Sequence, residues 1–330
     1  MAVESKLMQE KSQETLALLI DKFKVGQGLS LEEQLEQIGV IEKLQREDAV
    51  LILNHIVKLE NDPVVLYSIV KTIGKFNDKS SACPLIDLLL WKENCAELLK
   101  SCENFIKVRC LVAKVLGNIK NHSAVVPLLY ILNNKDENYK LRLAAADALG
   151  IIGDRFAVAP LIDLVVDEDE KSVYVRESAA KALGMIGDMS AIDPLVNLLE
   201  AKKGIVDKFT FLKERAIEAI GRLGFKDDRT FKVLTHSLMD ESSQVRINAI
   251  EALSDLDDER VLPLIQKMLF DEEEEVARTA VIALYNILGR EFLEELLLRD
   301  DVAGWCKDEA ETIIEEDEDD ENDEDGESNE

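Results

Sequence analysis

The chain has little of what catalysis by familiar side-chain constellations requires. It holds three histidines, His55, His122 and His236, which are scattered, and none is followed by glutamate. It has no glycine-rich phosphate loop, no Gly-x-Ser-x-Gly elbow and no Cys-x-x-Cys pair. The sequence carriers of phosphate cradling, of an exposed serine nucleophile and of dithiol redox chemistry are therefore missing. No catalytic residue, metal ligand or cofactor is expected.

Other shortages bound the setting. The five cysteines are odd in number and fall in no disulfide-like framework, as expected of a reducing compartment and a cytoplasmic protein. Cys95 and Cys102 lie seven apart, which is not a zinc-ligand spacing; they read as small buried hydrophobes. Apolar runs such as 16–20 are far too short to span a bilayer. The start, Met1 to Lys6, lacks the basic-then-apolar order of a leader. Bases are scarce: 39 Lys and Arg stand against 67 Asp and Glu, for a net charge of −28. Phosphate binding needs a clustered basic footprint, so neither nucleic acid nor an anionic membrane is an expected partner.

What the chain does have is a period. The string 148–154, Ala-Leu-Gly-Ile-Ile-Gly-Asp, returns at 182–188 as Ala-Leu-Gly-Met-Ile-Gly-Asp. A glycine slot recurs at Gly74, Gly117, Gly150, Gly184 and Gly221, and then holds Ser254 and Tyr285. Ten residues after the first four glycines come Pro84, Pro127, Pro160 and Pro194. Eight before the glycine lies a basic slot: Arg109, Arg142, Arg176, Lys213 and Arg246. A repeat of this length means a stacked array, in which each unit buries its apolar face only against its neighbours.

Each unit reads as two helices. Val175, Ala179, Ala182, Leu183 and Ile186 fall on one helical stripe. Gly187-Asp188 then stops the helix, and Pro194 sits in the first turn of the next, where no helical N–H partner is lost. Small residues such as Ala144, Ala145, Ala148, Ala179 and Ala182 let neighbouring helices approach closely. Asp136–Arg142 and Asp240–Arg246, six apart, set an acid in a turn ahead of a base at a helix start.

The string Val-Arg-x-x-Ala-Ala-x-Ala-Leu-Gly-x-Ile-Gly-Asp followed by Pro-Leu resembles the short HEAT-like repeat of the phycobilisome-lyase type, over about residues 48–290. The resemblance implies an all-α fold, an α-solenoid superhelix of about seven HEAT-like helix pairs. The expected division is 1–47 as capping helices, 48–300 as the repeat array and 301–330 as an acidic, mostly disordered tail. Residues 315–330 carry twelve acids and no base, leaving −16 on the remainder, and such a segment cannot bury enough apolar surface to fold. The resemblance also implies that the basic slots form a ladder between units. One HEAT-repeat enzyme family, deoxyhypusine hydroxylase, builds a di-iron site from His-Glu motifs; this chain lacks them in every unit.

In HEAT-like arrays the second helix of each pair lines the partner-binding face. That implication selects Lys114, Leu143, Asp147, Ile151, Glu177, Lys181, Met185, Glu214, Glu218 and Glu251. The slots run from basic near Lys71 and Lys75, through apolar, to acidic near Asp255, broken by Arg222. Three functions follow. The first is a non-catalytic scaffold or adaptor binding a protein partner with a basic or mixed-charge segment. The second is a lyase-like subunit handling a bilin or a phycobiliprotein. The third is an acidic chaperone-like binder of basic proteins, acting through the tail.

Overall fold

A computed structural model describes residues 14–23, 28–90, 103–167, 169–200, 210–224, 227–256 and 258–327, with the backbone alone for 318–327. Cys95, Cys102 and most of the 91–104 insertion lie outside the described residues. Among the described residues there is no strand, and the fold is an all-α solenoid of HEAT-like helix pairs. The chain divides into two compact units, residues 1–164 with 170–182, and 165–169 with 183–330.

The N-terminal unit opens on a helical stretch at 14–22, and α1 (Leu31–Ile41) follows. Ser30 starts it through a capping box: its hydroxyl accepts the Glu33 N–H while the Glu33 carboxylate accepts the Ser30 N–H at 2.9 Å. The pairs that follow are α2 (Arg46–Ile56) with α3 (Pro63–Phe76), α4 (Ala82–Leu90) with α5 (Glu103–Ile119) and α6 (Val125–Asn133) with α7 (Tyr139–Ile152). Then come α8 (Val158–Val166) and α9 (Val173–Ile186). Second helices stack on second helices, α3 on α5 and α5 on α7.

The repeated punctuation has a local cause at each position. Gly153, with φ +73°, ends α7, and its N–H reaches the Leu149 carbonyl. A residue with a side chain is strained there, so glycine is the natural stop. The next residue, Asp154, accepts the Phe156 N–H and starts a short 3-10 turn that leads into α8. Asp78, Asn121 and Asp188 repeat that cap ahead of α4, α6 and the later α10. The prolines fall in the first turn of the helix after each cap.

The glycine slot of the second helices answers a different demand. A Cβ on Gly117 would stand 3.0 Å from the Ala148 Cα, and one on Gly184 would stand 2.9 Å from the Ala219 Cα. Glycine of one repeat thus faces alanine of the next, backbone nearly on backbone. This close approach leaves Val112, Leu116, Leu141, Ala145 and Leu149 fully buried between α5 and α7. Burying each large aliphatic side chain there contributes roughly 1.5–3 kcal/mol.

Buried arginines tie the repeats. Arg109 donates from Nε to the Leu89 carbonyl at 2.8 Å and from Nη1 to Glu137 at 3.1 Å. Arg142 donates from Nε to the Leu132 carbonyl at 2.8 Å and from both terminal nitrogens to Glu170, one at 3.1 Å. The side chains of Arg142 and Glu170 are 4% and 2% exposed. The carboxylate therefore comes from the turn of the following repeat, not from the acid six residues ahead. Asp136 is not the partner of Arg142. Asp240 does meet Arg246, but through its backbone carbonyl, while its carboxylate accepts from Lys213. The reach of a guanidinium explains this: part of it bonds the turn just crossed and the rest extends to the next, with Nε on the near side in Arg109 and Arg142 and on the far side in Arg246.

The C-terminal unit holds α10 (Ile192–Glu200), α11 (Thr210–Leu223), α12 (Asp228–Ser237), α13 (Ser243–Ser254), α14 (Leu262–Met268), α15 (Glu274–Leu288), α16 (Arg290–Leu297) and α17 (Gly304–Glu327). Helices α11, α13 and α15 stack in order. Arg246 bonds Asp271 at 2.9 and 2.7 Å, continuing the ladder. Packed structure reaches beyond residue 300, where the tail is expected to begin. Cys306 and Ala310 are fully buried. Arg278 bonds Glu309 at 2.7 Å and Tyr285 bonds Asp317 at 2.8 Å. Cys306 and Ala310, spaced by four, give α17 an apolar face despite its acidity. It closes the core beside α15 and α16 as one more second helix would.

Candidate functional site

Across α11, α13 and α15 runs an open groove of about 600 Å³. Its floor is set by small residues, Gly221, Ala252 and Ala283, and its walls by three parallel stripes. These are Arg215–Glu218–Arg222, Asn248–Glu251–Asp255 and Thr279–Ile282–Asn286, each at positions i, i+3 and i+7. Residues so spaced share one face of a helix, and the repeat brings three such faces side by side.

The polar groups are partly organised among themselves. Arg215 and Arg222 both bond Glu218, the second at 2.9 Å, so Glu218 is held from both sides by its own helix. The Asn248 amide donates to the Glu214 carbonyl at 3.1 Å, and its oxygen accepts from the Gln244 amide at 2.9 Å. That links α13 to α11 through the groove wall. Glu251 has like-charged neighbours instead. By area it is an exposed residue, but its carboxyl lies in the groove. Withdrawal from bulk water first, then the charges of Glu218 and Asp255, raise its pKa above the ordinary range. The Glu214 carboxyl is also pushed up, by burial, against the opposing effects of Arg215 and of a hydrogen bond with Ser242.

Of the residues selected from the sequence, the groove gathers Glu214, Glu218 and Glu251. Glu214 is 6% exposed, so it supports the wall more than it faces a ligand. Met185 lies half-buried at the end of α9 and does not line the groove. Lys114, Leu143, Asp147, Ile151, Glu177 and Lys181 belong to second helices of the N-terminal unit. Lys114 is exposed and the other five are half-buried. Lys181 bonds Asp147 at 3.3 Å. Sequence reasoning missed Arg215, Asn248 and Thr279. It took the slot one residue earlier, where Ile247 is buried and Arg278 is bound to Glu274 and Glu309. Polar residues within an alanine-rich register were the available signal.

Among the described residues no three His, Cys, Asp or Glu side chains converge as a metal-binding group, and no helix is long and apolar enough to cross a membrane.

The family model for HEAT repeats matches residues 93–173, 127–207, 206–286 and 231–312. A search of curated proteins returns no significant match. Among solved structures, a Kap121p mutant aligns with 90% of this chain and 37% of its own, at 14% identity and a TM-score of 0.50. The complex of CpcE and CpcF of phycocyanin lyase from Nostoc sp. PCC7120 aligns with 82% of this chain and 95% of its own, at 21% identity and a TM-score of 0.45. The UNC-45 chaperone aligns with 93% of this chain and 46% of its own, at 11% identity and a TM-score of 0.45. With its repeats matched over two thirds of its length, the chain belongs to the HEAT-repeat family.

Proposed function

We propose that this protein is a non-catalytic scaffold whose C-terminal groove captures a cationic segment of a protein partner. One observation carries the reading: Glu251 and Asp255 lie one turn apart in an open groove, opposite a Glu218 already held by two arginines. A lysine or arginine side chain set between them would relieve like-charge repulsion that the chain itself leaves in place. Arg215 and Arg222 on the far wall favour a segment of mixed charge over a purely basic one. Charges so placed fix orientation and encounter rate more than they add affinity.

The string 175–195 supports assigning the repeats to the phycobilisome-lyase subtype. A bilin fits this groove less well than a peptide: carboxylates suit its pyrrole N–H groups but oppose its propionates. The odd number of cysteines supports a cytoplasmic location. For the tail-driven chaperone reading, removal of 318–330 is the discriminating change, since it leaves the groove whole.

The test is binding of a labelled ten-residue peptide of alternating arginine and serine, followed by anisotropy at low and moderate salt. The double variant Glu251→Gln, Asp255→Asn should bind about tenfold more weakly, which corresponds to about 1.4 kcal/mol. Equal binding by both proteins removes the groove from the proposal.

A further inference from the structure

A second surface lies on the C-terminal unit, away from the groove, where first helices turn into second helices. Helices α12, α14 and α16 end alike. Each has a buried leucine, Leu238, Leu269 or Leu296, and within two residues an apolar side chain turned out to solvent. Those exposed residues are Met239 at 74%, Phe270 at 55% and Leu298 at 84%. The backbone is the same at all three: their N–H groups donate to the carbonyls three residues back, of His236, Lys267 and Glu295. The three side chains thus hold equivalent positions in successive repeats.

The turns are also adjacent in space. The Arg246 guanidinium bonds the Asp240 and Glu241 carbonyls and, at once, the Asp271 carboxylate, so one side chain spans the first two turns. The Arg299 guanidinium lies over the Phe270 ring, 5.6 Å from its centre, which joins the third. Met239, Phe270 and Leu298 therefore form a row. Acids border it: Glu241 follows Met239, Glu272, Glu273 and Glu275 follow Phe270, and Asp300 follows Leu298, all exposed.

We propose that the row Met239–Phe270–Leu298 docks an amphipathic, basic helix of a partner protein. The spacing favours a helix. Packed helices stand about 8–10 Å apart, and seven residues of α-helix rise about 10.5 Å. Apolar side chains one heptad apart on a partner thus meet successive members of the row. The charge selects the occupant. A second copy of this chain, at −28, and its own segment 315–330, with twelve acids and no base, are both repelled by the acidic border. Lysines and arginines flanking an apolar stripe match it on both counts. Exposed apolar side chains gathered in one place and rimmed by polar groups are what a protein-binding site presents.

The probe is a labelled 18-residue helical peptide with leucines on one face at heptad spacing and lysines elsewhere. Its affinity for the full chain is measured beside the triple variant Met239→Ser, Phe270→Ser, Leu298→Ser. All three side chains are exposed, so thermal unfolding should be unchanged. The triple variant should bind at least tenfold more weakly, and a peptide of the same composition with its leucines scattered around the helix should lose as much. Undiminished binding by the triple variant, or by the scattered peptide, overturns the proposal. The comparison is repeated in the Glu251→Gln, Asp255→Asn background, which removes any share of the lysines held by the groove, and the triple change should weaken binding there at least tenfold as well. If the Glu251→Gln, Asp255→Asn variant loses the helix and the triple variant does not, the helix sits in the groove, and the edge is refuted while the groove reading stands. Sedimentation gives the last check: a wild-type dimer that the triple variant abolishes replaces the partner helix with a second copy and also overturns the proposal.

Discussion

The same slot of the repeat is filled in opposite ways in the two units. In the N-terminal unit it holds Asp147 and Lys181, a cross-repeat ion pair at 3.3 Å. In the C-terminal unit it holds Glu218 and Glu251, two acids on neighbouring helices. The backbone register is common to both, so the difference is one of side chains alone. The first pair satisfies itself. In the second, Glu218 recruits arginines from its own helix, and Glu251 keeps the cost of partial desolvation beside two like charges. A solenoid can therefore keep one scaffold throughout and make a ligand site by leaving charges unmatched in a chosen stretch.

The ladder beneath that face differs between units as well, and the largest expected effect lies there. Arg142→Ala in the N-terminal unit strands the Glu170 carboxylate in a pocket that excludes water. A loss of about 3–5 kcal/mol is expected, measured by urea unfolding. The C-terminal unit has one buried rung, Arg246–Asp271, with side chains 9% and 8% exposed, and one more open rung, Lys213–Asp240, at 25% and 19%. Lys213→Ala should cost about 1 kcal/mol, because water can reach the acid left behind. Equal losses from Arg142→Ala and Lys213→Ala would show that these two rungs are not differently buried.

Next in size is the glycine contact. Gly117→Val places new atoms against the Ala148 backbone and should destabilise by about 1–3 kcal/mol. The same slot already carries Ser254 in the C-terminal unit, so Ser254→Val should cost less. The comparison is read from thermal midpoints.

Acid titration should separate Glu170 from Glu251 by sign. Burial alone would raise the Glu170 pKa, but hydrogen bonds from Arg142 and the Ser172 N–H outweigh it and hold the folded value below the ordinary range. Its stabilisation is present above the unfolded value of about 4.3 and is lost as pH falls through the lower folded value. Glu251 behaves in the opposite sense. Its folded pKa is raised, so its charge weighs on stability above that value, and the burden lifts as pH falls toward about 4.3. Unfolding of Glu251→Gln against wild type should therefore show the variant's advantage at neutral pH and its disappearance in mild acid. An advantage that grows with acid would contradict the assigned direction.

The smallest effects concern the surface pairs themselves. Lys181→Ala should change stability by less than about 1 kcal/mol, since both partners are more than 40% exposed. Glu251→Lys recreates the Asp147–Lys181 arrangement in the C-terminal unit. A gain of a few tenths of a kcal/mol is expected, with loss of any cationic ligand.

Much of this was legible in the residue order. Gly187-Asp188 marks a helix stop and Pro194 a helix start from the sequence, whereas the slot of Gly117, Gly184 and Gly221 showed only the period, and its contact with the next helix needed the structure. The ladder partners were not legible. In a periodic chain an acid six residues ahead of Arg142 and one 28 residues beyond it occupy nearly equivalent turns, and only the direction of the side chain chooses Glu170. Three of the ten partner-face residues selected from the sequence, Glu214, Glu218 and Glu251, line the groove. Glu218 and Glu251 follow from the slot, but Arg215 and Asn248 lie on the i, i+3, i+7 stripe that the four-residue count from Glu214 passes over. The docking of α17 was hidden by its acids, which mask the stripe through Cys306 and Ala310 in any average over the segment.

The most direct measurement is the affinity of the arginine–serine peptide for full-length wild type and for Glu251→Lys at one ionic strength. Both proteins keep the acidic segment 315–330, so its contribution cancels. A groove that captures cations predicts a loss of tenfold or more in the variant with an unfolding midpoint no lower than that of wild type. An affinity unchanged by the reversal would contradict it and leave the acids of α11 and α13 as surface charge.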